Sequence, residues 1–162
     1  MKKRVFIGIK ASKNLQNKIA KWQKANKNLP VRFIKPKNLH LTLIPPWYEE
    51  NFQDIKSQIA KVEFEKFTIN FSAVYINFNN RVIWTETSKP PKAIFKLQKN
   101  LATIFRKYEE RPFKVHLTIA RFKDAKPLKD VNFEKIKWQE KVSKITLFES
   151  ILGKKEANYK VL

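Results

Sequence analysis

The only two histidines in this 162-residue chain occur in one repeated frame, His40-Leu41-Thr42-Leu43 and His116-Leu117-Thr118-Ile119. Side chains two apart on a strand share a face. His40 and Thr42 therefore point one way while Leu39, Leu41 and Leu43 point the other. His116 and Thr118 repeat this opposite Val115, Leu117 and Ile119. The apolar side belongs to a core, so the polar side must look into solvent or a cleft. Two such strands packed about an approximate two-fold axis would bring two imidazoles and two hydroxyls to one small volume.

Displacement at phosphorus suits that set. One imidazole takes a proton from the nucleophile and the other gives one to the leaving oxygen. The hydroxyls of Thr42 and Thr118 can donate to non-bridging oxygens as charge shifts onto them. Arg121, three residues after Thr118, can add a permanent positive charge at the cleft edge. Other chemistries lack parts. The chain has no cysteine, which excludes disulfides, thiolate metal sites and a cysteine nucleophile. Two histidines would need carboxylate help to hold zinc, and no acidic residue lies near either tetrad in sequence. HExxH and GxSxG motifs are missing, and Gly153-Lys154-Lys155 lacks the rest of a phosphate-binding loop. No metal and no cofactor is expected.

Bulk charge points the same way. Lys and Arg number 35 against 14 Asp and Glu, a net of +21. Residues 1–48 hold 12 of the basic residues, and no acidic residue precedes Glu49. Such an excess attracts polyanions at long range. Most of it is lysine, which favours diffuse phosphate attraction over bidentate recognition.

The elements that must position these residues can be sketched. Arg4–Lys10 alternates as a strand, with Gly8 marking a bulge or a close backbone approach. Ser12 can cap a basic amphipathic helix over roughly residues 13–28, its apolar face formed by Leu15, Ile19, Trp22 and Leu29. The His40 strand follows Pro36 and is expected to end at Pro45-Pro46. Phe52, Ile55, Ile59 and Val62 are spaced for a second helix. Two β-rich runs, KFTINFSAVYINF and RVIWTETS, flank a hairpin-like Asn-Asn junction. After Pro90-Pro91, a third helix has Ile94, Leu97, Leu101, Ile104, Phe105 and Tyr108 on one face. The His116 strand and late strands within KVSKITLFESIL and NYKVL complete the chain, after a lysine-rich loop region between Lys123 and Lys141. The length suits one domain over residues 1–162, built of two related lobes. The apolar run near Met1 is too short for a signal peptide and is interrupted by Lys10 and Lys13, and no stretch could span a bilayer. A soluble cytoplasmic monomer with no obligate protein partner is expected.

At its tetrads the chain resembles the 2H phosphoesterase superfamily, marked by two His-x-Ser/Thr-x motifs, and within it the RNA 2′,3′-cyclic phosphodiesterase group often labelled 2′-5′ RNA ligases. RVFIGI, VRFIKPKNLHLTL, RPFKVHLTIAR and ITLFESIL followed by YKVL are similar to successive segments of that group. The resemblance thus covers nearly the whole chain, although only the paired tetrads are specific. It implies an α/β (α+β) fold of two pseudo-two-fold lobes, with antiparallel sheets lining a central groove and helices outside. It also implies metal-independent hydrolysis of 2′,3′-cyclic phosphates, on RNA ends or cyclic nucleotides, to 2′-phosphates. In that pattern His40 protonates the departing 3′ oxygen and His116 activates water. Thr42, Thr118 and Arg121 match phosphate-contacting positions, and Arg32 and Phe33 match an Arg-aromatic pair near the groove. The group usually follows its first tetrad with a basic residue, an aromatic and Leu-Gly. Here the chain reads Ile44-Pro45-Pro46-Trp47, which removes a phosphate-side cation and offers Trp47 as a base-stacking surface. Two rival functions fit the same sequence: an RNA-binding protein with an inactive groove, and 2′-5′ RNA end joining.

Overall fold

Alternation in the first strand sets the frame. In the computed structural model, which describes all of Met1–Leu162, Val5, Ile7 and Ile9 of β1 (Lys3–Lys10) are buried in the core. Ser12 then caps α1 (Lys13–Ala25), its hydroxyl accepting from the Leu15 amide at 3.2 Å. The helix stops three residues short of the expected end. Asn26 turns its side-chain amide back to the Trp22 carbonyl at 2.8 Å, a local bond that competes with continuation. Leu29 therefore packs on the core from the following turn.

The chain continues through β2 (Arg32–Phe33), a 3-10 turn at Pro36–Asn38, β3 (His40–Glu49) and α2 (Phe52–Ala60). Next come β4 (Phe67–Phe71), β5 (Ala73–Asn77), β6 (Val82–Glu86), α3 (Lys92–Phe105) and β7 (His116–Arg121). A 3-10 turn at Lys126–Leu128 leads to β8 (Trp138–Val142), β9 (Thr146–Leu152) and β10 (Ala157–Val161). Two four-stranded antiparallel sheets result, ordered β10-β9-β1-β3 and β2-β7-β6-β5, with β4 and β8 forming a separate pair. Each histidine strand lies beside an antiparallel neighbour to which a helix connects it: β1-α1-β3 in one sheet and β6-α3-β7 in the other. The sheets exchange material, since β9 and β10 complete the first sheet and β2 crosses to the second.

Four sequence expectations are corrected. Pro45 and Pro46 do not end β3, which runs on to Glu49. β3 is an edge strand, and an irregularity between Ile44 and Trp47 leaves both prolines out of register with β1, so neither missing amide costs a ladder bond. The run KFTINFSAVYINF is two strands, because the chain leaves one sheet for another at Ser72. The Ser72 amide bonds the Glu86 carbonyl and its carbonyl takes the Ile136 amide. In α3, Ile94, Leu97, Leu101 and Phe105 are buried as expected. Arg106 then adopts a left-handed conformation (φ 52°) and ends the helix, which takes Tyr108 off the face. Ile104 stays largely exposed. The lysine-rich segment before Lys141 contains β8 and is not all loop. No helix is long and apolar enough to cross a membrane.

Gly8 is the close approach that its position suggested. A Cβ there would sit 2.5 Å from the Leu41 carbonyl oxygen, so β1 can lie against β3 beside Thr42 only without a side chain.

Candidate active site

His40, Thr42, His116, Thr118 and Arg121 line one cavity of about 300 Å³ between the two sheets. The tetrads reach it by plain strand alternation, and Leu41, Leu43, Leu117 and Ile119 are buried behind them. Arg121 reaches it by a different route. An odd spacing from Thr118 would place it on the core face of a regular strand. Instead β7 carries an extra residue opposite β6, where Ile83 pairs with Ala120 but Trp84 pairs with Thr118. Ile119 and Ala120 are both fully buried, and the bulge rotates Arg121 onto the histidine face. Gln23 of α1 secures this bulge, donating its side-chain amide to the carbonyls of Ile34 (2.9 Å) and Ile119 (3.1 Å).

The two imidazoles are held alike. His40 donates from Nδ1 to the Asn38 carbonyl at 2.7 Å, and His116 donates from Nδ1 to the Lys114 carbonyl at 2.9 Å. In each neutral ring this leaves Nε2 as the lone-pair nitrogen. Their surroundings differ. His40 is enclosed by aromatic rings, with centroids at 4.7 Å (Tyr159), 4.8 Å (Phe6) and 5.6 Å (Phe148). His116 rests on Trp84, with centroids 4.3 Å apart. Burial pushes the His40 pKa down to about 4, opposed by the Asn38 carbonyl and assisted by the charges of Arg121 and His116. Burial also lowers His116. The Lys114 carbonyl opposes this, the Lys114 ammonium adds to it, and the Glu86 carboxylate counteracts it. Glu86 faces His116 across the β6–β7 ladder and pairs with Lys114 at 2.7 Å. Burial would raise Glu86, but hydrogen bonds from Lys114 and Trp84 hold it below the usual carboxylate range. At neutral pH the cavity thus contains two uncharged imidazoles and the fixed charges of Arg4 and Arg121.

The other three candidates from the sequence lie elsewhere. Arg32 pairs with Arg121 across β2 and β7, but its guanidinium leaves the cavity and donates to the Lys155 carbonyl. Phe33, on the opposite face, packs on the core edge-on to Trp22 at 6.3 Å. Trp47 points at Phe105, with Lys107 over its ring at 5.3 Å. Its backbone pairs with buried Val5, and bulges on either side of Ile7 return Trp47 to the core face. Pro46 lines the cavity in its place.

Sequence reasoning missed Arg4, Asn38 and Tyr159. Arg4 shares the cavity face of β1 with Phe6 and donates to the Ser150 hydroxyl at 2.6 Å. It brings a cation to the lobe whose first tetrad runs into prolines. Asn38 is buried, accepts the His40 proton on its carbonyl and clamps β10 through Ala157 and Tyr159. The alternation of Arg4 with Phe6 and Gly8 was a weak signal. Tyr159 had none, because its neighbourhood forms only when β10 joins the first sheet. No group of three or more His, Cys, Asp or Glu side chains could hold a metal ion.

The chain is similar to known proteins in sequence and in fold. The sequence profile of the 2′-5′ RNA ligase superfamily matches residues 11–150. A protein of Methanocaldococcus jannaschii named RNA 2′,3′-cyclic phosphodiesterase is 28% identical, over 78% of this chain and 78% of its own length. One of Archaeoglobus fulgidus with the same name is 27% identical, over 76% of this chain and 75% of its own. The crystal structure of E. coli LigT in its apo form superposes with a TM-score of 0.83 at 24% identity, covering 99% of this chain and 95% of LigT.

Proposed function

The chain belongs to the 2′-5′ RNA ligase superfamily, and we propose from that premise that it hydrolyses terminal 2′,3′-cyclic phosphates to 2′-phosphates without a metal. Residues 1–162 act in this reading as one two-lobed unit. The observation that carries it is the convergence of both His-x-Thr tetrads and Arg121 on one cavity. The names of the archaeal relatives supply the substrate class.

The cyclic phosphate sits between the imidazoles. Neutral His116, its Nδ1 proton engaged by the Lys114 carbonyl, takes a proton from water on Nε2 as the water oxygen bonds to phosphorus. The bond from phosphorus to O3′ breaks on the opposite side, and protonated His40 delivers its Nε2 proton to that oxygen. The phosphate remains on O2′. Proton exchange with solvent then resets both rings. Thr42, Thr118 and Arg121 bind the non-bridging oxygens, and their interaction strengthens as charge accumulates there. His40 is a weak base in the empty cavity, so the anionic substrate itself must raise its pKa to load the acid.

Phosphorus NMR on 2′,3′-cyclic nucleotides and a cyclic-phosphate-ended oligonucleotide tests this. The expected product is the 2′-phosphate, formed equally in EDTA. Binding without any product would instead favour a protein that holds RNA without turning it over. Joined product with a 5′-hydroxyl partner would favour the ligase reading.

A further inference from the structure

Arg121 does not only face the cavity. It also lines two depressions that continue outward from it. The first leaves the cavity past Ile34, Asn38 and Tyr159 toward Arg32 and the tip of the β9–β10 hairpin. The second extends from Arg32 and Arg121 along the end of β7 as an open groove of about 840 Å³. Its cations are Arg32, Arg81, Arg121, Lys123, Lys154 and Lys155, against the single carboxylate of Asp124. None of the six forms an ion pair, although four ion pairs occur elsewhere in the molecule. Four separate parts of the chain bring them together: β2, the β5–β6 turn, the end of β7 and the β9–β10 tip. Lys154 and Lys155 lie at the β9–β10 tip, fastened down where Arg32 donates to the Lys155 carbonyl and Lys35 meets Glu156. Arg81 comes from the β5–β6 turn in a left-handed backbone (φ 55°), held by the Phe122 amide on its carbonyl at 3.1 Å.

The groove differs in its charge balance from the depression along α3. The depression along α3 is slightly larger, about 960 Å³, but Glu63 and Glu65 face its Lys92, Lys96 and Lys99. Unpaired like charges gathered in a concavity repel one another and favour a polyanion that can lie along them. A 2′,3′-cyclic phosphate is the 3′ terminus of its strand, so the rest of an RNA can leave the cavity only on the 5′ side. The cation-lined exit past Arg121 fits that path. We propose that this groove binds the sugar-phosphate backbone on the 5′ side of the reacting end, and that the substrate is an oligomeric RNA in preference to a free cyclic nucleotide. The proposal rests on the cyclic-phosphate reading above and adds the substrate's length and course.

The test compares Lys123→Gln/Lys154→Gln/Lys155→Gln with the charge-matched control Lys92→Gln/Lys96→Gln/Lys99→Gln. All six side chains are exposed. The readouts are kcat/KM on a cyclic-phosphate-ended RNA hexamer and on 2′,3′-cyclic AMP, and hexamer Kd by fluorescence anisotropy across a salt series. In the groove variant the hexamer-to-monomer preference should fall about tenfold or more, with a matching rise in Kd. The slope of log K against log salt should become shallower by about two, the loss expected for three single-strand phosphate contacts. The control should lose much less on each readout. Equal losses in the two variants, or an unchanged preference in the groove variant, overturn the proposal. Should the wild type hydrolyse neither substrate, the catalytic reading fails and anisotropy alone decides the groove. A selective loss of hexamer binding in the groove variant then upholds it, and equal Kd values sink it.

Discussion

Each imidazole is tuned by what surrounds it. Their backbone bonds are the same, so the difference between them lies in His40's aromatic enclosure and in the Glu86 carboxylate opposite His116. If His40 is the acid, His40→Ala should lose about 10²–10⁴-fold in kcat. Much of that loss should return on a substrate with sulfur at the 3′ bridging position, because a thiolate leaves without a proton. His116→Ala should lose as much and gain nothing from sulfur. Rescue of His116→Ala in place of His40→Ala would exchange the two roles. The pH dependence follows from the lowered pKa values. The kcat/KM bell of the free enzyme should centre on the acid side of 6.5. The kcat bell should lie higher, because bound phosphate stabilises the imidazolium. Coincident bells would mean that substrate does not load the acid.

A strand irregularity, and not the tetrad, turns Arg121 toward the cavity. Without the extra residue at Ile119–Ala120, Arg121 would point into the core. The bulge is held by one buried side chain from another element, Gln23. Gln23→Leu keeps the size but removes both bonds, leaving the Ile34 carbonyl without this partner. We expect a loss of about 1–3 kcal/mol in urea denaturation, together with a KM that rises more than kcat falls as Arg121 drifts. A stability loss with unchanged KM would mean that the bulge holds Arg121 without help from α1. The prolines of β3 show the complementary case: where no ladder bond is needed, an expected strand breaker becomes a cavity wall.

The whole molecule stores the cost of a desolvated site. Between pH 6.5 and about 4 the unfolded chain takes up a proton that folded His40 excludes. Stability therefore rises with pH through that window and falls on acidification, by at most about 3 kcal/mol from this residue. Urea titrations of the wild type and His40→Gln at pH 7, 5 and 4 should show the wild type losing ground to the variant as pH falls. Parallel curves would mean that His40 is more hydrated than its aromatic surroundings suggest. Polyanion binding should oppose the same acid loss, since a phosphate in the cavity favours the protonated ring.

Local chemistry was legible in the sequence, because period-two alternation acts within a few residues. It put His40, Thr42, His116 and Thr118 on one side of their strands and the leucines on the other, and the equally local 3.6-residue period located α1 and most of α3. The paired motifs also carried the likeness to a two-lobed fold. What crosses between distant segments was not legible. Arg121 depends on a bulge and on Gln23, 98 positions earlier in the chain. Arg4 and Tyr159 reach the cavity only because β9 and β10 join the sheet begun by β1. Trp47 and Phe33 looked available as isolated aromatic residues and were claimed by the core. Side-chain direction along a strand is set by neighbours in sequence, whereas pairing and register are set by which strands find each other. The two histidine faces were therefore readable in advance, and their meeting, together with the charged path that leads away from it, was decided by the tertiary structure.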